Sequence, residues 1–197
     1  MRKYLFTVAA IAAPLAVACP ALAATPAKFG DPVKLGDGLM LDPIVDARLR
    51  WEHVDQPATD ADAVTLRLRV GGELKHAASK LALLAEAEGT VALGKNYNAF
   101  PFVISTSQRR TAFSTVADPE NIELNRLQLQ YKSKAVTITL GRQRMNLDDQ
   151  RFVGAVGWRQ NEQTFDAVRG EAKIGPVSLD GTYAISQRTI FGFDAGP

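Results

Sequence analysis

Asp148 and Asp149 stand just ahead of Arg151 in the stretch NLDDQRFVGAVGWRQNEQTFDAVR, residues 146–169, and Arg159 and Arg169 follow. Paired carboxylates beside guanidinium groups suit general acid/base work or a calcium ion. The spacing, however, is not that of an organised ligand loop such as an EF-hand. The same residue types suit a constriction loop whose arginines select an anionic solute, or a crossing whose opposite charges neutralise one another against a wall. Arg142 and Arg144 flank the stretch and join it as loop candidates. Little else in the chain could run a reaction. Its two histidines, His53 and His76, sit on separate segments and its one cysteine is Cys19, so a zinc-thiolate site, a disulfide framework or a histidine-based triad lacks material. No catalytic residue, metal or cofactor is expected.

The remaining charged candidates lie in strictly alternating segments. From Val45 to Trp51 the chain reads VDARLRW, with Arg48 and Arg50 opposite Val45, Ala47, Leu49 and Trp51. A two-residue period of this kind is a strand pattern. It returns at 64–75 with Arg67 and Arg69 on the polar face, at about 80–93 with Glu86 and Glu88, and around Leu127 to Tyr131 with Arg126. Further stretches follow around Val136 to Leu140, up to Ile174 with Arg169, and from Val177 to Ile185. No comparable helical period follows residue 23.

Connection lengths then separate two all-β architectures. They run about nine, four, more than 25, two, about 18 and two residues, short on one side and long on the other. That is the periplasmic-turn and extracellular-loop pattern of a transmembrane barrel, not of a soluble β-sandwich. The chain reads as an all-β, antiparallel, up-and-down transmembrane β-barrel with about seven strands visible. A four-residue turn at His76 to Ser79 would set Arg69 opposite Glu86 and Arg67 opposite Glu88. A two-residue turn at Ser133-Lys134 would set Leu129 opposite Ile138, and Gly175-Pro176 would set Ile174 opposite Val177.

In such a barrel the polar faces line the lumen, so Arg48, Arg50, Arg67, Arg69, Arg126, Arg169, Glu86 and Glu88 are lumen candidates. Cross-strand ion pairing is the structural alternative to an anion-conducting ladder. Arg48, Arg50 and Arg126 lack an acidic partner in the expected register. Arg142 and Arg144 follow Leu140 on the apolar parity and Asp166 is out of phase with Val168, which requires a bulge or a turn there. Trp51, Tyr131 and Tyr183 fall on the lipid parity, as girdle residues do. The connection from about Gly94 to Asn121 carries Tyr97, Phe100, Phe102, Phe113 and Arg109-Arg110, able either to stack sugar rings or to pack the loop into the mouth.

The N-terminus predicts export. Arg2 and Lys3 precede an apolar run from Tyr4 to Val17, and Ala21-Leu22-Ala23 forms a small-residue cleavage site, the pattern of a secretory signal peptide. A lipoprotein reading through Cys19 is the weaker alternative. Residues 1–23 are the expected signal, 24–42 a periplasmic N-terminal segment, and 43–197 barrel. Losing Arg2 and Lys3 leaves 21 basic against 21 acidic residues, a balance that argues against a nucleic-acid partner.

Gly141-Arg142-Gln143, Gln150-Arg151-Phe152-Val153-Gly154, Trp158-Arg159-Gln160 and Thr164-Phe165-Asp166-Ala167 together resemble the alginate-export family of bacterial outer-membrane β-barrels. The resemblance extends over nearly the whole exported chain. It implies an outer-membrane pore for anionic polysaccharide or sugar-acid solutes, with outer-membrane lipid as surroundings and many more strands than are visible here. Seven strands cannot close a barrel. The expectation is therefore the N-terminal part of a larger barrel, closed by missing C-terminal strands or by other copies. Three other readings remain: a truncated non-conducting fragment, an outer-membrane enzyme with catalytic loops, and a soluble exported sugar-binding β-sandwich.

Overall fold

A computed structural model of the chain describes residues 30–100 and 107–192; the expected signal peptide, Cys19 and Phe102 lie outside them. Eight strands occur in chain order: β1 (Val33–Gly36), β2 (Leu39–Asp55), β3 (Asp60–His76), β4 (Leu81–Asn96), β5 (Asn121–Lys132), β6 (Val136–Gln143), β7 (Thr164–Ile174) and β8 (Val177–Arg188). Each pairs antiparallel with the next in a single up-and-down sheet, and no helix is present among the described residues. The sheet does not close, with β1 and β8 at its edges, as expected of an incomplete barrel. The additional strand, β1, and the start of β2 fall within 24–42, the stretch expected to precede the barrel.

The alternation sorts side chains opposite to a soluble protein. Leu68, Val70, Leu83, Leu129 and Leu140 are exposed on one face, while Arg67, Arg69, Glu86 and Glu88 are buried on the other. Large apolar rows facing outward with charges inside fit a sheet whose outer solvent is lipid. Length agrees with that. On β3 the outward apolar parity runs from Leu74 to Val64, with Leu66, Leu68 and Val70 exposed between them, ten steps of roughly 3.3 Å, or about 25 Å of height at a tilt of about 40°, the height of the apolar band. Trp51, Tyr131 and Tyr183 all stand exposed on this face.

Two hairpin registers differ from the sequence expectation by two residues. The β3–β4 turn is Ala77 to Lys80, with Lys80 at φ 60°, so Arg69 faces Glu88, Arg67 faces Thr90 and Gly71 faces Glu86. The β5–β6 turn is tied by Ser133, whose N–H donates to the Val136 carbonyl at 2.8 Å and whose hydroxyl accepts from the Val136 N–H at 3.0 Å. Leu129 therefore faces Leu140, not Ile138. A slip of two preserves the faces, which is why the alternation could not detect it. The β7–β8 register, with Ile174 opposite Val177, is as expected. The first connection is also shorter than expected, because β2 and β3 extend to Asp55 and Asp60.

Gly71 and Gly141 permit close strand approach. A Cβ on Gly71 would lie 2.1 Å from the Ala85 carbonyl oxygen, and one on Gly141, at φ 107°, would lie 2.4 Å from that of Leu127. The expected irregularity falls on β8, opposite Asp166 and Ala167, while β6 and β7 run in register from Val136 to Gln143. The apolar core is small and sits at the loop end of the sheet. Ala61, Ala63 and Ala92 leave room on the inner face for Tyr97, Phe100 and Val116, with Val54 and Phe191 packed alongside. A second cluster joins Met145, Phe165 and Ala167, with Val153 against it.

Candidate functional site

The charged face of β2 to β5 is covered by the segment between β6 and β7, residues 144–163. Gln160, Asn161 and Glu162 are its innermost residues and are essentially fully buried. Their side chains are polar, so burial requires partners. Glu162 Oε1 accepts from Asn125 Nδ2 at 2.6 Å and from Arg144, while its Oε2 lies 3.4 Å from Arg69 Nη2. Arg69 also pairs with Glu88, and Arg67 with Asp46. Asn125 is the β5 residue left over at the register shift opposite Glu86 and Ala87. It therefore bridges Glu162 and Glu86, donating to Glu86 Oε1 at 2.8 Å.

Arg126 has the acidic partner that the expected register denied it. Its Nε and Nη2 reach Glu86 at 2.9 and 2.6 Å, a two-point guanidinium-carboxylate contact. Arg50 likewise pairs with Glu52 and lies 3.5 Å from Asp118. Glu86 stands opposite Arg126 in the β4–β5 pair, whose register the turns do not set, and Asp118 arrives from the β4–β5 loop, which strand alternation cannot place. Arg159 joins the same group, 3.1 Å from Glu52 and 3.7 Å from Asp118. Its guanidinium lies 4.1 Å from the Trp158 ring centroid, a cation–π distance.

Arg48 differs from these. It donates to Gln160 Oε1 and to the Gly157 carbonyl, both at 3.0 Å, and no carboxylate lies within ion-pair distance of it among the described residues. Gln160 is held in turn by Thr65, its Nε2 donating to Thr65 Oγ1 at 2.8 Å, and by Asp118, which accepts from its N–H at 2.9 Å. The covering segment thus supplies neutral acceptors to a cation.

The remaining candidates lie elsewhere. Arg169 pairs with Asp180 and Glu171 on β7 and β8. Arg142 belongs to β6, not to a loop, and stays on the apolar parity; it contacts Asp166 at 2.8 and 3.0 Å and donates to the Leu124 carbonyl. Asp148 and Asp149 occupy the exposed tip, where Asp149 accepts from the Arg151 N–H at 3.1 Å. No cluster of His, Cys, Asp or Glu able to hold a metal occurs among the described residues. Sequence reading missed Asp118, Asn125 and Glu162. Asn125 alone left a trace, since Leu124 and Leu127 are three apart, which breaks the two-residue period.

The β4–β5 loop packs Tyr97 and Phe100 rather than presenting them. Tyr97 and Phe100 are fully buried, and the Tyr97 hydroxyl donates to the Asp118 carbonyl at 2.8 Å. Burial pushes that phenol up to about 12. Glu120, in the same loop, is held below the usual carboxylate range. Burial opposes this, but Lys95 at 3.0 Å and the Ala92 N–H at 3.2 Å outweigh it.

An open up-and-down sheet with apolar rows outside, charges inside and a loop folded onto the charged face has the anatomy of a pore wall. The family model for alginate export matches residues 46–186. The chain belongs to the alginate export family. No curated protein and no solved structure matches it. Membership supports a polysaccharide-export role in an outer-membrane β-barrel.

Proposed function

We propose that this alginate export family chain forms part of an outer-membrane wall that passes anionic polysaccharide or sugar-acid solutes, with residues 144–163 as its constriction. Export would proceed through a signal peptide cleaved after Ala23. Lipid would cover the apolar rows, and further strands or other copies would pair with the open edges of β1 and β8, because unpaired backbone is not stable at membrane depth. The observation that carries the reading is Arg48. Its charge is met by Gln160 and the Gly157 carbonyl instead of a carboxylate, so the covered face keeps a cation able to attract a passing anion. Arg50, Arg67, Arg69 and Arg126 are neutralised locally and serve the wall first.

The test is ion selectivity of the full chain in planar bilayers, with sugar-acid oligomers as blockers. Arg48→Gln should lower the anion-to-cation permeability ratio and weaken block severalfold, while Arg169→Gln should change both less. Equal selectivity in the wild type and Arg48→Gln, or no block by the oligomers, would sink the proposal.

A further inference from the structure

The opposite end of the sheet carries its own concentration of charge. Hydrogen bonds stitch its turns side by side, the Lys132 N–H donating to the Lys80 carbonyl at 2.9 Å and the Lys173 N–H to that of Ala135 at 2.8 Å. Lys80, Lys132, Lys134 and Lys173 are thereby gathered on one rim, and all four are exposed. Lys132 and Lys173 share the parity of Arg126 and Arg169, so they stand on the charged face. Hollows of about 340 and 470 Å³ adjoin these turns, one lined by Lys132, Lys134 and Lys173, the other by Lys80, Lys132 and Lys134. Glu171 and Asp180 border the first hollow but are engaged by Arg169. No carboxylate lies within 4.0 Å of any of the four ammonium groups among the described residues.

This contrasts with the loop end, where Arg50, Arg67, Arg69, Arg126, Arg144 and Arg159 all meet acids. Four lysines without a carboxylate partner are therefore gathered on the short-turn rim, which faces the periplasm in barrels of this kind. We propose that Lys80, Lys132, Lys134 and Lys173 form a capture collar for a polyanionic saccharide arriving from the periplasm. The proposal rests on the export reading above and adds the place where the chain is first bound. Several exposed charges act together here. Each contact with a single carboxylate is weak and screened, whereas a polymer engages many at once and gains by multivalency.

Binding of uronic acid oligomers and of neutral glucan oligomers to the full chain, refolded in zwitterionic detergent, tests the collar by calorimetry. Replacing all four lysines by glutamine should weaken uronate binding about tenfold or more and flatten its salt dependence. The four Lys→Arg replacements should restore both. Heat-modifiable gel mobility and circular dichroism verify that each variant folds. Wild-type binding of uronate unchanged in the glutamine variant would overturn the collar while leaving the export reading intact. Equal binding of charged and neutral oligomers, or none of either, would overturn both. Loss confined to phosphatidylglycerol vesicles would make the rim a lipid contact and overturn the collar.

Discussion

The two long loops lie on the same side of the sheet and are held there by different physics. Residues 97–100 and 107–120 are fixed by apolar packing, with Tyr97, Ala99, Phe100 and Val116 buried against Ala61, Ala63 and Ala92. Residues 144–163 are seated on the charged face by hydrogen bonds and ion pairs through Gln160, Asn161 and Glu162, with Met145 and Val153 packed against Phe165 and Ala167. The polar segment also leans on the apolar one, since Asn161 Nδ2 donates to the Pro119 carbonyl at 3.0 Å and Gln160 N to Asp118. Apolar packing is indifferent to ionic strength, whereas charge contacts are screened and can be exchanged for water or solute. The first loop is thus a fixed shelf, and the second is a cover whose seat depends on charge.

The largest expected effect breaks the shelf. Tyr97→Ala removes a fully buried ring and should cost about 3–5 kcal/mol in urea unfolding of the refolded protein. It should also free residues 144–163, because the Tyr97 hydroxyl holds the Asp118 backbone. A cost below about 1 kcal/mol would mean that the shelf is not held by packing. Gly71→Ala should come next, forcing β3 and β4 apart at Glu86 by about 1–3 kcal/mol, the usual range for overpacking.

The cover is tested separately. Glu162→Ala leaves Arg144 without its acid and takes one partner each from Arg69 and Asn125, and trypsin cleavage after Arg151 and Arg159 should rise severalfold while cleavage after Arg110 stays unchanged. Glu162→Gln keeps acceptor geometry at Oε1 and should show a smaller rise. Raising salt to about 1 M, where screening reaches about 3 Å, should open the cover of the wild type in the same sense. Parallel cleavage of both loops in salt would erase the distinction between them.

The smallest effect is acid sensitivity at Glu120. Its folded value is depressed, so its contribution is complete above the ordinary glutamate value of about 4.3 and is lost as pH falls through the lower folded value. Glu120→Gln should remove that acid limb from the loop's stability. Because the carboxylate is partly exposed, screening keeps the effect small. An unchanged acid limb in Glu120→Gln would place the sensitivity elsewhere.

Strand alternation predicted which face each of Arg48, Arg67, Glu86 and Arg169 occupies, because a side chain's face depends only on parity along its own strand. It did not predict who meets whom. Arg126 finds Glu86 through the β4–β5 pairing, whose register is set across a long loop and not by a tight turn, while the β3–β4 turn moves Glu86 from Arg69 to Gly71, a shift of two that is invisible to parity. Asn125 faces Glu162 because a bulge adds a residue, and only the interrupted Leu124 to Leu127 spacing hinted at it. Asp118 and Gln160 are separated by 42 positions, and neither lies on a periodic segment, so nothing local could join them.

By itself, then, the sequence determined seven of the eight strands, their two faces and the family, since those follow from local periodicity and short motifs. Tertiary structure decided that the arginines of the covered face are largely neutralised, that Arg48 is not, and that lysines gather on the opposite rim. Those are properties of charges converging across many strands, and Coulomb interactions depend on distance in space, not on distance along the chain.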